Sequence, residues 1–70
     1  MLKKNDNVAW KWGNGIAEGT IEKVCYEKTE ITSKGKKVVR NGTTDNPALI
    51  IKHASGNLVL KLQSEVQKTD

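Results

Sequence analysis

The chain has 70 residues, 36% hydrophobic and 29% charged, with a formal net charge of +4 and a pI near 9.4. That length allows one domain, expected over residues 1–70 with a core of about 5–67. Mixed-sign charge argues against a disordered tail. The longest apolar run, Ala48-Leu49-Ile50-Ile51, is far short of the ~20 residues of a membrane helix, and no apolar stretch follows Lys3-Lys4 as a signal peptide requires.

The first strand is expected at about Asn7–Trp12. Alternation puts Val8, Trp10 and Trp12 on one side and Ala9 and Lys11 on the other. Gly13-Asn14-Gly15 ends it. A second strand is expected from Gly19 or Thr20 to about Tyr26. Its apolar residues Ile21 and Val24 are three apart, which breaks alternation and predicts a bulge or bend.

Thr29–Thr32 is a candidate short strand, joined through Ser33-Lys34-Gly35-Lys36 to Lys37–Arg40. Six turn-forming residues, Asn41 to Asn46, precede Pro47 and make a loop. Ala48–His53 has the β-branched, apolar character of a buried strand. Ala54-Ser55-Gly56-Asn57 turns it back into Leu58–Leu62, with Leu58, Leu60 and Leu62 expected on the core face. Ser64-Glu65-Val66 reads as one helical turn with Val66 closing one end, and Gln67–Asp70 is expected to fray. The pattern is all-β: a five-stranded antiparallel SH3-like barrel, expected to act as a monomer.

Val8-x-Trp10-x-Trp12-Gly13, Gly19-Thr20-Ile21-x-x-Val24, Asp45-Asn46-Pro47-Ala48 and Lys61-x-x-Ser64-Glu65-Val66 occur in order over roughly Asn5–Gln67. In these motifs the chain resembles the bacterial and fungal hypervirulence-associated protein Tudor domain. The resemblance implies a Tudor-like, SH3-like barrel with no catalytic activity and no cofactor, and it leaves the ligand open. Eukaryotic members with more aromatics read methylated lysine or arginine in an aromatic cage. This chain departs from that pattern, having only Tyr26 beyond Trp10 and Trp12.

The indoles are the leading binding candidates, since a π-rich rim takes a cation, a nucleobase or a proline. Trp10 reads chiefly as core and Trp12, beside the glycine turn, as rim. Lys34, Lys36, Lys37 and Arg40 put four cations within seven residues. They read first as a solvated hairpin that resists edge pairing, and alternatively as a phosphate-binding patch. Asn46, before Pro47, caps a turn that holds a rim loop rigid.

Cys25 is the single cysteine, which excludes an internal disulfide, fits a reducing cytoplasm and reads as an inert thiol. His53 reads as a strand-end residue on the solvent side, without the partners of a catalytic base or metal ligand. The expected function is a non-catalytic binding module. Trp12, Tyr26, Arg40 and Asn46 face a protein or peptide segment, and Trp10 supports them from beneath. Sequence-nonspecific nucleic-acid binding through the basic hairpin is the alternative.

Overall fold

The computed structural model describes residues 2–69. Seven strands run β1 (Asn7–Trp12), β2 (Gly15–Cys25), β3 (Lys28–Ser33), β4 (Lys36–Asn41), β5 (Ala48–His53), β6 (Leu58–Leu62) and β7 (Gln67–Lys68). A 3-10 turn, Gln63–Glu65, separates the last two. Five strands form one antiparallel sheet ordered β6-β5-β2-β1-β7, and β3 and β4 form a separate ribbon. No helix among the described residues is long and apolar enough to cross a membrane.

β2 is the strand that both halves of the sheet share. Its first half pairs with β1 from Trp12↔Gly15 to Asn7↔Thr20, and from Gly19 onward it pairs with β5. The register shifts between Ile21 and Lys23. This is the bulge that the Ile21–Val24 spacing anticipates: one extra residue, Glu22, bends the strand. β2 starts four residues earlier than expected because the turn after Trp12 is only Gly13-Asn14. Gly13, with φ 54, supplies the positive φ that a two-residue hairpin turn demands.

Chain connectivity also explains why this sheet is rolled. Its two edges, β6 and β7, are joined only by the 3-10 turn and Val66. Four strand spacings would put the edges of a flat sheet about 19 Å apart. A short 3-10 segment rising about 2 Å per residue, with extended flanks, reaches only about 13 Å. The edges are therefore brought round towards each other, the curvature of an SH3-like barrel. Among the described residues no ladder joins the ribbon to the sheet, so the five-stranded barrel expected from sequence is a curled five-stranded sheet plus a two-stranded ribbon.

Inside the curl, Val8, Trp10, Ala17, Ile21, Leu49 and Ile51 form the core, and Leu2, Val24, Val59 and Val66 pack against it. The expectation for β6 is corrected by its register. The pairing Ile51↔Val59 puts Val59, not the leucines, on the core side. Leu60 is nonetheless sealed at 2% exposure on the other face, on a strand against which both β3 and β4 pack. Leu58, at the strand's open start, is exposed.

The expected fraying at Gln67 is also corrected. β7 pairs with Val8 and Ala9, and Thr69 N–H donates to the Asn7 carbonyl at 3.0 Å. The last residue of that stretch, Asp70, lies outside the described residues, as does Met1. The helical turn falls one residue earlier than expected, with Val66 packed on the core as anticipated.

Two glycines mark where backbones nearly touch. A Cβ at Gly19 would lie 2.6 Å from both the Ile51 Cγ2 and the Lys52 carbonyl oxygen. At Gly42 it would collide with backbone only: the Cys25 and Glu27 carbonyls and the Ala48 nitrogen. Side chains can shift and backbone in a ladder cannot, so Gly42→Ala is expected to cost at least about 2 kcal/mol. For a domain this small that lowers Tm by roughly 10 °C. Gly19→Ala meets the Lys52 carbonyl and should also be destabilised, by less because its other close contact is the movable Ile51 side chain. Gly15→Ala, which meets nothing within 4 Å, should melt like the parent. Thermal unfolding of the three variants checks the order.

Candidate functional site

Three hairpin ends meet at the end of the sheet where β1 turns into β2. There Trp10, Trp12, Ser33, Lys34, His53, Ser55, Asn57 and Val59 line a groove of about 260 Å³. Alternation along β1 puts both indoles on the inner face, but their depth differs. Trp10 is opposite Ala17 in mid-sheet and 6% exposed, whereas Trp12 closes the hairpin and is 67% exposed.

His53 forms the floor beside Trp10. The ring centroids are 6.0 Å apart at an interplanar angle of 64°, an edge-to-face pair. The solvent-side expectation for His53 is thus corrected: it is half-buried. It follows Leu49 and Ile51 at the strand period, a spacing that could have revealed its inward face.

The turn after β5 holds the imidazole. Ser55 N–H donates to Nδ1 at 3.0 Å, so the neutral ring carries its proton on Nε2. The Ser55 hydroxyl lies 2.8 Å from Nδ1 and accepts from Asn57 Nδ2 at 3.1 Å. Across the groove the Ser33 hydroxyl donates to the Leu58 carbonyl at 2.8 Å, tying the ribbon tip to β6. Lys34 and Gly35 both have positive φ, 52 and 77, the pattern of a type I′ turn. That tight turn places Lys34, the one lysine of the groove's lining, at the ribbon tip.

The other expected site residues lie elsewhere. Arg40 and Asn46 meet around the 3-10 turn, whose Ser64 and Glu65 line a separate groove with Trp10 but not with Trp12. Arg40 Nε donates to Glu65 Oε1 at 3.1 Å, and Leu62 N–H donates to the same oxygen at 2.7 Å. Asn46 grips Ser64 from both sides: its Nδ2 donates to the hydroxyl at 3.0 Å and its Oδ1 accepts the Ser64 N–H at 2.9 Å. Thr43 Oγ1 in turn accepts the Asn46 N–H at 3.0 Å.

Tyr26, 51% exposed, follows β2 at the end opposite the indoles. In the basic hairpin Lys37 pairs with Glu30 at 3.3 Å and Arg40 with Glu65, which leaves Lys34 and Lys36 at the tip. Cys25 is half-buried. Among the described residues no three His, Cys, Asp or Glu side chains gather as a metal site. Sequence reasoning missed Ser33, Ser55 and Asn57: the last two sit in one turn read only as a turn, and Ser33 joins them only through tertiary pairing.

A curled antiparallel sheet with a β-ribbon and an indole exposed at its mouth defines a small Tudor-like domain. The family model of the hypervirulence-associated protein Tudor domains matches residues 6–66, and the chain belongs to that family. No curated protein and no solved structure matches the chain.

Burial pushes the Glu65 carboxyl upward, but the Leu62 N–H, the Arg40 guanidinium and Lys61 outweigh it and hold the group below its ordinary value. A depressed folded-state value stabilises the fold above the unfolded glutamate value, near about pH 4.3. That stabilisation is lost as pH falls through the lower, folded value. Glu65→Gln is therefore expected to flatten the acid limb of the stability curve in this window. The neutral-pH cost should stay near about 1 kcal/mol, since the pair is partly solvated; denaturant titrations from pH 6 to 3 check this. Acrylamide quenching separates the indoles: emission should be strongly quenched in Trp10→Phe, where Trp12 remains, and weakly in Trp12→Phe.

Proposed function

We propose that this domain is a non-catalytic binding module that takes a neutral or acidic protein segment in the groove beneath Trp12. One observation carries the reading: an indole two-thirds exposed at the mouth of a groove floored by Trp10, His53 and Val59. Burying such a ring under a partner contributes more than almost any other side chain at an interface. Ser55 and Asn57 at the rim offer hydrogen bonds that orient an extended peptide.

The sign of the partner follows from Lys34. A trimethylammonium group needs several ring faces around it and no competing cation. This groove has one exposed indole face, Tyr26 is at the far end of β2, and an ammonium stands at the rim. Methyl-mark reading is disfavoured on both counts.

Selection of a displayed random-peptide library on the immobilised domain is expected to enrich neutral or acidic sequences. Trp12→Ala should weaken a selected peptide roughly thirtyfold, the size of a hot-spot truncation. Tyr26→Ala should bind it like the parent. Unchanged affinity in a folded Trp12→Ala domain would reject the groove.

A further inference from the structure

At the bulged end of β2 a second groove, of about 500 Å³, is lined by Leu2, Lys3, Lys4, Glu22, Lys23, Val24 and Tyr26. We propose that it binds single-stranded nucleic acid, with Tyr26 stacking on a base while Lys3, Lys4 and Lys23 contact the flanking phosphates. The site is independent of the Trp12 groove and of the basic hairpin.

The backbone that carries Lys3 and Lys4 is held in place beside Lys23, which is far from it in sequence. Leu2 packs against the core on one side of Lys3 and Lys4. On the other side Asp6, 8% exposed, takes the Lys3 N–H on Oδ2 at 3.0 Å and returns its own N–H to the Lys3 carbonyl at 3.1 Å. Asn5, in the left-handed region at φ 78, donates its N–H to the Ile21 carbonyl at 2.8 Å. Ile21 N–H donates in turn to the Asp6 carbonyl at 3.0 Å. The Lys3–Asp6 turn is thereby clamped alongside the β2 bulge that carries Lys23.

The charge of the groove's own lining is unbalanced, with Asp6 and Glu27 lying just outside it. Among the described residues the salt bridges join Lys37 to Glu30, Arg40 to Glu65 and Lys68 to Asp6. None of them takes up Lys3, Lys4 or Lys23. Three lysines against Glu22 leave the lining two positive charges in excess, half of the chain's formal +4.

Tyr26 decides the class of polyanion. A duplex keeps its bases stacked on one another, so an exposed ring among cations matches a strand whose bases are free to stack on it. A purely acidic peptide such as polyglutamate would use the lysines but has no group to stack on the ring.

The test is fluorescence anisotropy with a labelled ten-residue oligothymidine. Three phosphate contacts predict a log–log salt slope near about −2, so affinity should fall roughly twentyfold between 50 and 200 mM salt. Lys3→Gln with Lys4→Gln and Lys23→Gln should abolish that dependence together with most of the binding. Tyr26→Ala should weaken binding at least about fivefold with the slope unchanged, the signature of lost stacking.

Lys34→Gln with Lys36→Gln, and separately Trp12→Ala, should bind the oligonucleotide like the parent. These exposed positions allow each variant's fold to be checked by circular dichroism. Any of three results overturns the proposal: no binding at 20 mM salt, loss of binding in the hairpin variant instead, or a polyglutamate peptide binding as tightly with no dependence on Tyr26.

Discussion

The fold depends on one connection. β6 and β7 occupy opposite edges of the sheet, yet only residues 63–66 separate them in the chain. A link that short forces the sheet to roll, and rolling a sheet requires a strand that bends. β2 supplies the bend, with Gly19 where backbones press together and an extra residue at Glu22. The Asn46–Ser64 and Arg40–Glu65 contacts hold the 3-10 turn that makes the link. They are polar and partly solvated, so their contribution is to fix where the link sits more than to stabilise the fold.

Rolling the sheet around β2 has a consequence for binding. The strand is long enough to separate its two ends fully, and each end carries an aromatic ring. Trp12 stands across from Gly15 at the start of β2, where the turns after β1, β3 and β5 converge. Tyr26 follows Cys25 at the finish, beside the N-terminal turn. The two rings therefore cannot enclose one ligand, and the domain has two separate faces with different electrostatics. At the Trp12 end a single ammonium accompanies neutral hydrogen-bonding groups. In the lining of the Tyr26 groove three lysines face Glu22, with Asp6 and Glu27 just outside it.

Much of the fold was legible in the sequence wherever a local rule governed. Alternation put Trp10 and Trp12 on one face, the glycine turn set Trp12 at the edge, and the three-residue gap from Ile21 to Val24 announced the bulge. What stayed hidden was set by partners distant in the chain. Gln67 and Lys68 have no strand pattern of their own and become a strand only because the edge of β1 is open at Val8 and Ala9. The facing of β6 was misjudged because both of its faces are covered, one by the core and one by the ribbon, so leucine spacing no longer identifies the inner side. Arg40 reads as a rim residue from the cation cluster of its hairpin and Asn46 from the turn before Pro47, whereas their partners on the 3-10 turn lie 25 and 18 residues away.

The distribution of aromatic rings carries the functional weight. The chain has two tryptophans, one tyrosine and no phenylalanine, and only Trp10 enters the core. Fully burying a large apolar side chain contributes roughly 1.5–3 kcal/mol, against a total of about 5–15 kcal/mol for an ordinary domain. A domain of this size has little burial to spare. It nevertheless closes its core with aliphatic residues and a single indole, and leaves its other two rings 67% and 51% exposed, each lining a groove. Stability alone gives no reason to put large rings in water at those two places. A surface that gains by covering them does, and that is why binding is the reading that the whole molecule supports.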